Sequence, residues 1–146
     1  MQSIAEDNAF GSTARPLSRS RQVLWAGRAL SGVAVLFLLF DSVGKLLQVQ
    51  PVIDGTLELG YPVSTVFGLG VTLLICVIAY VIPRTSVLGA VLLTGYLGGA
   101  IATHVRVQNP LFTHVLFPVY VAMFIWGGLA LRDVRLRAFL PWRGRS

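Results

Sequence analysis

Charged residues are scarce in this chain of 146 residues: they form 12% of it, against about 25% in typical globular proteins. Acidic residues are the rarer kind, with six against twelve basic ones, which gives a net charge of +6. Hydrophobic residues make up 55% of the chain, and this excludes an intrinsically disordered protein. A soluble domain of this size is disfavoured as well, because so few charges could not cover so much apolar surface.

Cysteine and histidine are equally sparse, with one cysteine and two histidines. A single cysteine cannot form an intramolecular disulfide, and thiol–disulfide exchange usually needs a cysteine pair. His104 and His114 are ten positions apart, and neither an HxxxH nor an HExxH pattern is present. We therefore predict no metal site.

Four stretches contain no Asp, Glu, Lys or Arg: 29–40, 59–83, 85–105 and 107–131. A helix needs about 20 mostly apolar residues to cross a bilayer, and the last three stretches are long enough. The first reaches that length only when it is extended to include Arg28, which can snorkel to the interface, and the Asp41–Lys45 pair. The sequence thus predicts an all-α membrane protein, a bundle of four transmembrane helices near 25–47, 63–82, 86–104 and 112–131.

The first apolar run also has the basic lead and the length of a cleaved signal peptide. Residues 41–45, Asp-Ser-Val-Gly-Lys, offer no A-x-A-like cleavage site at its end. Removal of this span would also place the two basic termini on opposite sides of the membrane. Four spans are therefore the favoured interpretation.

With four spans, both termini lie on the same side of the membrane. That side carries ten of the twelve basic residues, whereas the other carries Lys45 and Arg106. Because Lys and Arg collect in cytoplasmic loops, both termini are predicted to be cytoplasmic, in a multi-pass protein of the bacterial cell inner membrane. Arginines that flank apolar spans bind anionic headgroups, so we expect the lipid bilayer as a partner and no nucleic acid.

The chain is predicted to consist of one membrane domain and two tails. Residues 1–22 lack hydrophobic periodicity, which predicts a disordered cytoplasmic tail, and 142–146 form a basic cytoplasmic tail. The domain between them, 23–141, contains the four helices. Its 48–62 stretch is long enough for a short interfacial element, and Pro83-Arg84-Thr85 predicts a tight turn.

Small residues mark the faces where membrane helices approach closely. Gly95 and Gly99 form a GxxxG pair in the third helix, which favours packing within the bundle or, alternatively, a homodimer. Pro118 lies in the second turn of the fourth helix and is expected to kink it or to loosen its outer end.

Polar residues of the spans gather near the outer side. Asp41 and Lys45 are one helical turn apart on one face, in the order that favours an ion pair. His104, Arg106 and His114 lie at the same boundary in a four-span bundle. We expect these five residues to bind a ligand in an outward-facing polar pocket. The alternatives are that Asp41 and Lys45 only neutralise each other and that the histidines are interface residues.

Several motifs resemble the DoxX-like family of small bacterial membrane proteins. They are Arg28-x-x-x-Gly32, Phe40-Asp41-Ser42-Val43-Gly44-Lys45-Leu46, Leu59-Gly60-Tyr61-Pro62, Pro83-Arg84-Thr85, Gly89-Ala90, Gly95-Tyr96-Leu97-Gly98-Gly99-Ala100, His104 and Pro110. The resemblance covers about 23–141 and implies a four-helix integral membrane protein. The family takes its name from a subunit of a thiosulfate:quinone oxidoreductase, whereas most members have no assigned reaction. The resemblance is therefore compatible with a quinone as cofactor and with a redox partner subunit, but it does not assign either. Many relatives carry an acidic residue in the second span, whereas 59–83 has none.

Three functions stay open at this point. The first is a quinone- or redox-associated membrane subunit, whose pocket holds a polar headgroup while apolar helix faces hold the tail of this small-molecule ligand. The second is a small proton-coupled transporter that uses Asp41 as an intramembrane proton or cation site. The third is a non-catalytic assembly or lipid-interacting protein. The residues indicate no reaction and no catalytic residue.

Overall fold

A computed structural model describes residues 21–133 and Leu136 of the chain. The stretch 1–20 of the predicted N-terminal tail and the predicted C-terminal tail, 142–146, lie outside the described residues. The helical segments of the described part are α1 Arg21–Leu46, α2 Gln50–Glu58, α3 Ser64–Val81, α4 Ser86–Arg106, a π-helical turn Leu111–Val115 and α5 Phe117–Arg132.

Four of these segments are long and apolar enough to cross a membrane, when the π-helical turn is counted with α5. They are α1, α3, α4 and the combined segment Leu111–Arg132, and no strand occurs among the described residues. The predicted all-α architecture with four spans is therefore confirmed. The helix limits lie within four residues of the predicted ones because lack of charge and apolar length decide where a span can begin and end.

The four long helices form a ring in which each contacts two neighbours. Helix α1 packs against α3 and α5, and α4 packs against the same two helices. Helices α1 and α4 are therefore diagonal partners with no direct backbone contact. The apolar core lies between all four, and its fully buried members include Leu38, Leu73, Leu93 and Ile125.

The bundle is tightly closed at the end that carries the Pro83–Thr85 turn, here called the hairpin end. Tyr80 is fully buried there and donates its phenol proton to the carbonyl of Ile125 at 2.9 Å. The hydroxyl of Ser31 then donates to the phenol oxygen, also at 2.9 Å. The guanidinium of Arg132 lies 4.8 Å from the centre of the Tyr80 ring. These contacts join α1, α3 and α5 around one side chain.

Close helix approach depends on glycines other than the predicted pair. A β-carbon at Gly89 would overlap the backbone of Tyr80, and one at Gly128 would overlap Ser31. In contrast, a β-carbon at Gly95 or Gly99 would meet no atom within 4 Å. The predicted packing of Gly95 and Gly99 inside the bundle is therefore wrong, because the rotation of α4 places these residues on an exposed side.

The opposite end, here called the α2 end, is built from helix termini. Helices α1, α2 and α4 each end in a left-handed residue: Gln48 (φ 49°), Gly60 (φ 77°) and Gln108 (φ 57°). In each case the next amide donates to the carbonyl five residues back, which is the bonding of a Schellman motif. The fourth span begins with its π-helical turn, and Pro118 lies in the first turn of α5, where it costs no hydrogen bond. This span is thus irregular at the α2 end.

Candidate functional site

A cavity of about 700 Å³ lies at the α2 end of the bundle. Its walls come from α1, α4 and the start of α5, and α2 covers it. The polar lining residues are Asp41, Lys45, Thr56, Glu58, Tyr61, Tyr96, Thr103, His104, Asn109 and His114. The cavity lies between the diagonal helices α1 and α4, which make no direct backbone contact.

Asp41 and Lys45 form an ion pair on the α1 wall of the cavity. Lys45 Nζ lies 2.5 Å from Asp41 Oδ1, with one helical turn between the two residues. Both side chains are partly buried, Lys45 more deeply (15% exposed) than Asp41 (32% exposed). Ser42, the residue after Asp41, donates its hydroxyl proton to the Gly70 carbonyl at 2.9 Å. This hydrogen bond holds the same part of α1 against α3. The pair brings both a donor and an acceptor to the cavity.

His104 in the last turn of α4 and His114 in the π-helical turn face each other. Their ring centres are 5.7 Å apart in an edge-on arrangement. Asn109 Nδ2 lies 2.8 Å from His104 Nδ1, and Thr113 Oγ1 lies 2.8 Å from His114 Nδ1. The Nε2 edge of each ring makes no hydrogen bond with the described residues. No group of three or more His, Cys, Asp or Glu residues among them could hold a metal ion.

Arg106 is placed differently from the other four predicted site residues, because it does not line the cavity. Its guanidinium donates to the carbonyl of Leu59 at 2.5 Å and lies 5.9 Å from the centre of the Tyr61 ring. Tyr61 in turn shares a 3.0 Å hydrogen bond with Thr103. Arg106 thus fastens the end of α4 to the loop between α2 and α3, beside the cavity.

The half of the cavity nearer the bundle centre is apolar. Phe37 of α1 and Phe117 of α5 meet edge to face with ring centres 5.1 Å apart. Leu38, Leu97 and Val121 complete this wall. Tyr96 lies at the transition to the polar half, and its phenol makes no hydrogen bond with the described residues although the side chain is partly buried.

Gly95 and Gly99 form one edge of the cavity and are exposed on the surface of α4 at the same time. Because neither has a side chain and no atom stands over them, the cavity is open sideways along this part of α4. Gly98, which is also exposed, does not line the cavity. In a membrane, this sideways opening meets the lipid.

The structure brings together four of the five predicted site residues: Asp41, Lys45, His104 and His114. The sequence analysis missed Tyr96 and Asn109. Tyr96 could have been found, since it is two helical turns before His104 on the same face of α4. Asn109 carried no such signal, because its approach to His104 depends on the left-handed turn at Gln108.

Of three comparisons with known proteins, one found a match. No curated protein and no solved structure matches the chain. A sequence model of the DoxX-like family matches residues 29–128, which include most of α1, all of α2, α3 and α4, and most of α5. The chain is a multi-pass membrane protein that belongs to the DoxX-like family.

Proposed function

We propose that this protein binds a quinone in the cavity at the α2 end and presents it to a redox partner subunit in the bacterial inner membrane. The observation that carries the proposal is the unpaired phenol of Tyr96 between a polar and an apolar wall. A partly buried phenol without a protein partner is available to a ligand, and a ligand that accepts a hydrogen bond from it would gain affinity.

The chemistry of the lining fits a quinone headgroup. A quinone ring is flat and apolar, and its two carbonyl oxygens accept hydrogen bonds. Lys45 and Tyr96 supply donors, whereas Phe37 and Phe117 supply a surface for the ring. A cavity of about 700 Å³ is in the usual range for a small-molecule site. When bound, the quinone would supply two-electron redox chemistry for the partner subunit.

The opening along Gly95 and Gly99 gives the isoprenoid tail a route into the lipid. A tail that leaves sideways does not have to be enclosed by the protein, so a cavity of this volume suffices for the headgroup. With both termini cytoplasmic, the α2 end lies on the outer side of the membrane and the pocket faces outward.

Binding is measured on the purified protein in detergent, as the shift of its thermal unfolding with duroquinone, which has no tail, and with decylubiquinone. We expect both to stabilise the protein. Tyr96→Phe should weaken binding of both quinones, whereas the matched change Tyr120→Phe on the exposed surface of α5 should not. Absence of any shift with either quinone, and of quinone in solvent extracts of the purified protein, would exclude this function.

A second arm of the experiment tests the route of the tail. Gly95→Leu should leave duroquinone binding unchanged and weaken decylubiquinone binding, because the new side chain occupies the edge of the cavity. Gly98→Leu is the matched control on the same exposed side. Equal loss for both quinones in Gly95→Leu would contradict the sideways route.

Proton-coupled transport is the less favoured function. Its predicted site, Asp41, already holds Lys45 as a counter-ion within hydrogen-bond distance, so this carboxylate is not free to bind a transported cation. Substrate-dependent proton uptake by proteoliposomes, lost in Asp41→Asn, would reverse the preference.

A further inference from the structure

We infer that α2 is a lid over the cavity and that Arg106 is the latch that holds this lid against the end of α4. The inference goes beyond the proposed function, because it concerns how water-soluble molecules reach the cavity and holds for any ligand. It gives a role to Arg106, which does not line the cavity itself.

One face of α2 forms part of the cavity wall. Val52, Thr56 and Leu59 repeat at helical spacing and line the cavity, and Thr56 is buried, with 7% of its surface exposed. Asp54 does not line the cavity and is exposed. A helix with one face on a cavity and the other on the solvent separates the two. Thr56 is therefore reached from the aqueous side only when α2 moves.

Helix α2 is held to the bundle by few apolar contacts. It contacts the helices α1 and α3 but has no backbone contact with α4 or α5. In the described part of the chain, no residue of α2 belongs to the apolar core, and Thr56 is the one buried residue of this helix. Because few buried contacts hold α2, it can move at a lower free-energy cost than the four spans.

The two ends of α2 are connected differently. At its start, the amide of Val49 donates to the Gly44 carbonyl at 3.2 Å, and the side chain of Val52 lies against Gly44. At its other end, Gly60 adopts φ 77° and has no side chain, so the backbone there can change conformation easily. The lid is therefore hinged at α1 and moves most near Gly60.

The latch holds the moving end of the lid. The guanidinium of Arg106 donates to the Leu59 carbonyl at 2.5 Å and also lies over Gly60. One helical turn earlier on α4, Thr103 shares a hydrogen bond of 3.0 Å with the Tyr61 hydroxyl. Among the described residues, only these two hydrogen bonds join the end of the lid to α4. Both can open while the spans stay folded.

Opening is measured in detergent as the labelling rate of Thr56→Cys with a water-soluble maleimide, in the Cys76→Ala background. Arg106→Ala should raise this rate about fivefold, since the loss of one hydrogen bond changes the opening equilibrium by about that factor. Loss of the positive charge lowers the reactivity of a nearby thiol, so it cannot produce the rise. Tyr61→Phe leaves every charge in place and should raise the rate as well.

Two control positions separate movement of the lid from other changes. Asp54→Cys on the exposed side of α2 should react fast both with Arg106 and in Arg106→Ala. Leu93→Cys in the apolar core reports unfolding of the whole bundle, and its slow rate should not change in Arg106→Ala. An equal rise for Thr56→Cys and Leu93→Cys would mean global unfolding and would contradict the lid.

Two further results would overturn the inference. One is a labelling rate of Thr56→Cys as fast as that of Asp54→Cys while Arg106 is present, because α2 then does not close the cavity. The other is an equal rate for Thr56→Cys with Arg106 and in Arg106→Ala. If Arg106→Ala does not fold, Tyr61→Phe decides the question in the same way. None of these rates depends on a quinone, so failure of the lid and failure of the proposed function are observed separately.

Discussion

The ion pair of Asp41 and Lys45 places two charges inside a transmembrane segment, where each alone would be costly. A single charge at the centre of a bilayer costs about 2.5–3.5 kcal/mol, and this pair lies nearer the end of its helix. A carboxylate oxygen of Asp41 and the ammonium nitrogen of Lys45 are 2.5 Å apart, so each charge is compensated by the other. This explains how a helix with two opposite charges can still span the membrane.

Removal of either charge alone should therefore destabilise the protein. We expect Asp41→Asn and Lys45→Met each to lower the unfolding free energy in detergent, by less than about 2.5 kcal/mol, and the double variant to recover part of the loss. Thermal unfolding of the four proteins measures the coupling. Strict additivity of the two losses would mean that the residues do not interact.

The phenol of Tyr80 joins three helices at the hairpin end. Tyr80→Phe leaves the Ser31 hydroxyl and the Ile125 carbonyl without their buried partner, and the expected cost is about 1–3 kcal/mol. The lower melting temperature should be visible in detergent. Tyr120→Phe, in which the lost hydroxyl is exposed, should melt as the wild type does. Equal melting of all three proteins would contradict the role of this network.

At the scale of the elements, helix α4 presents two kinds of glycine. Gly89 lies against the backbone of α3, directly beside Tyr80. Gly95, Gly98 and Gly99 have free space around them, and two of these form the edge of the cavity. The first kind permits close packing, and the second keeps a surface flat.

The two kinds should respond differently to alanine. Gly89→Ala forces α3 and α4 apart and should destabilise the protein by about 1–3 kcal/mol. Gly98→Ala adds a methyl group in open space and should leave stability unchanged or raise it slightly, because alanine favours helix. Melting temperatures of both variants provide the check. A loss in Gly98→Ala as large as in Gly89→Ala would contradict the assignment.

At the scale of the whole molecule, the bundle is closed at one end and contains a cavity at the other. The hairpin end has a buried tyrosine and close glycine contacts, whereas α2 covers the opposite end through a loop that Arg106 fastens. The arginine distribution predicts that the hairpin end is cytoplasmic. A ligand in the cavity would then be held near the outer surface.

This orientation can be measured by cysteine labelling in a Cys76→Ala background, since Cys76 is the single native cysteine. Asp54→Cys on the exposed side of α2 should react with a membrane-impermeant maleimide in intact spheroplasts. Ser12→Cys in the N-terminal segment should react only after lysis. The opposite pattern would reverse the topology and place the cavity on the cytoplasmic side.

Much of the fold could be predicted because the bilayer imposes a simple condition on the chain. Stretches such as 59–83 and 107–131 have no charge and are long enough to cross, and they became α3 and the fourth span. The gathering of Asp41, Lys45, His104 and His114 at one end followed from the same reasoning, since alternate spans run in opposite directions.

The contacts between particular residues were decided only by the tertiary structure. Whether a glycine meets another helix depends on how each helix is rotated, and the GxxxG spacing of Gly95 and Gly99 is the same in either orientation. The approach of Asn109 to His104 needed a left-handed turn at Gln108, and glutamine gives no sequence signal for that conformation. The positions of the spans are set by the lipid bilayer, which requires a long uncharged stretch wherever the chain crosses. The cavity is set by how the helices are rotated and packed against one another, and the sequence does not show this.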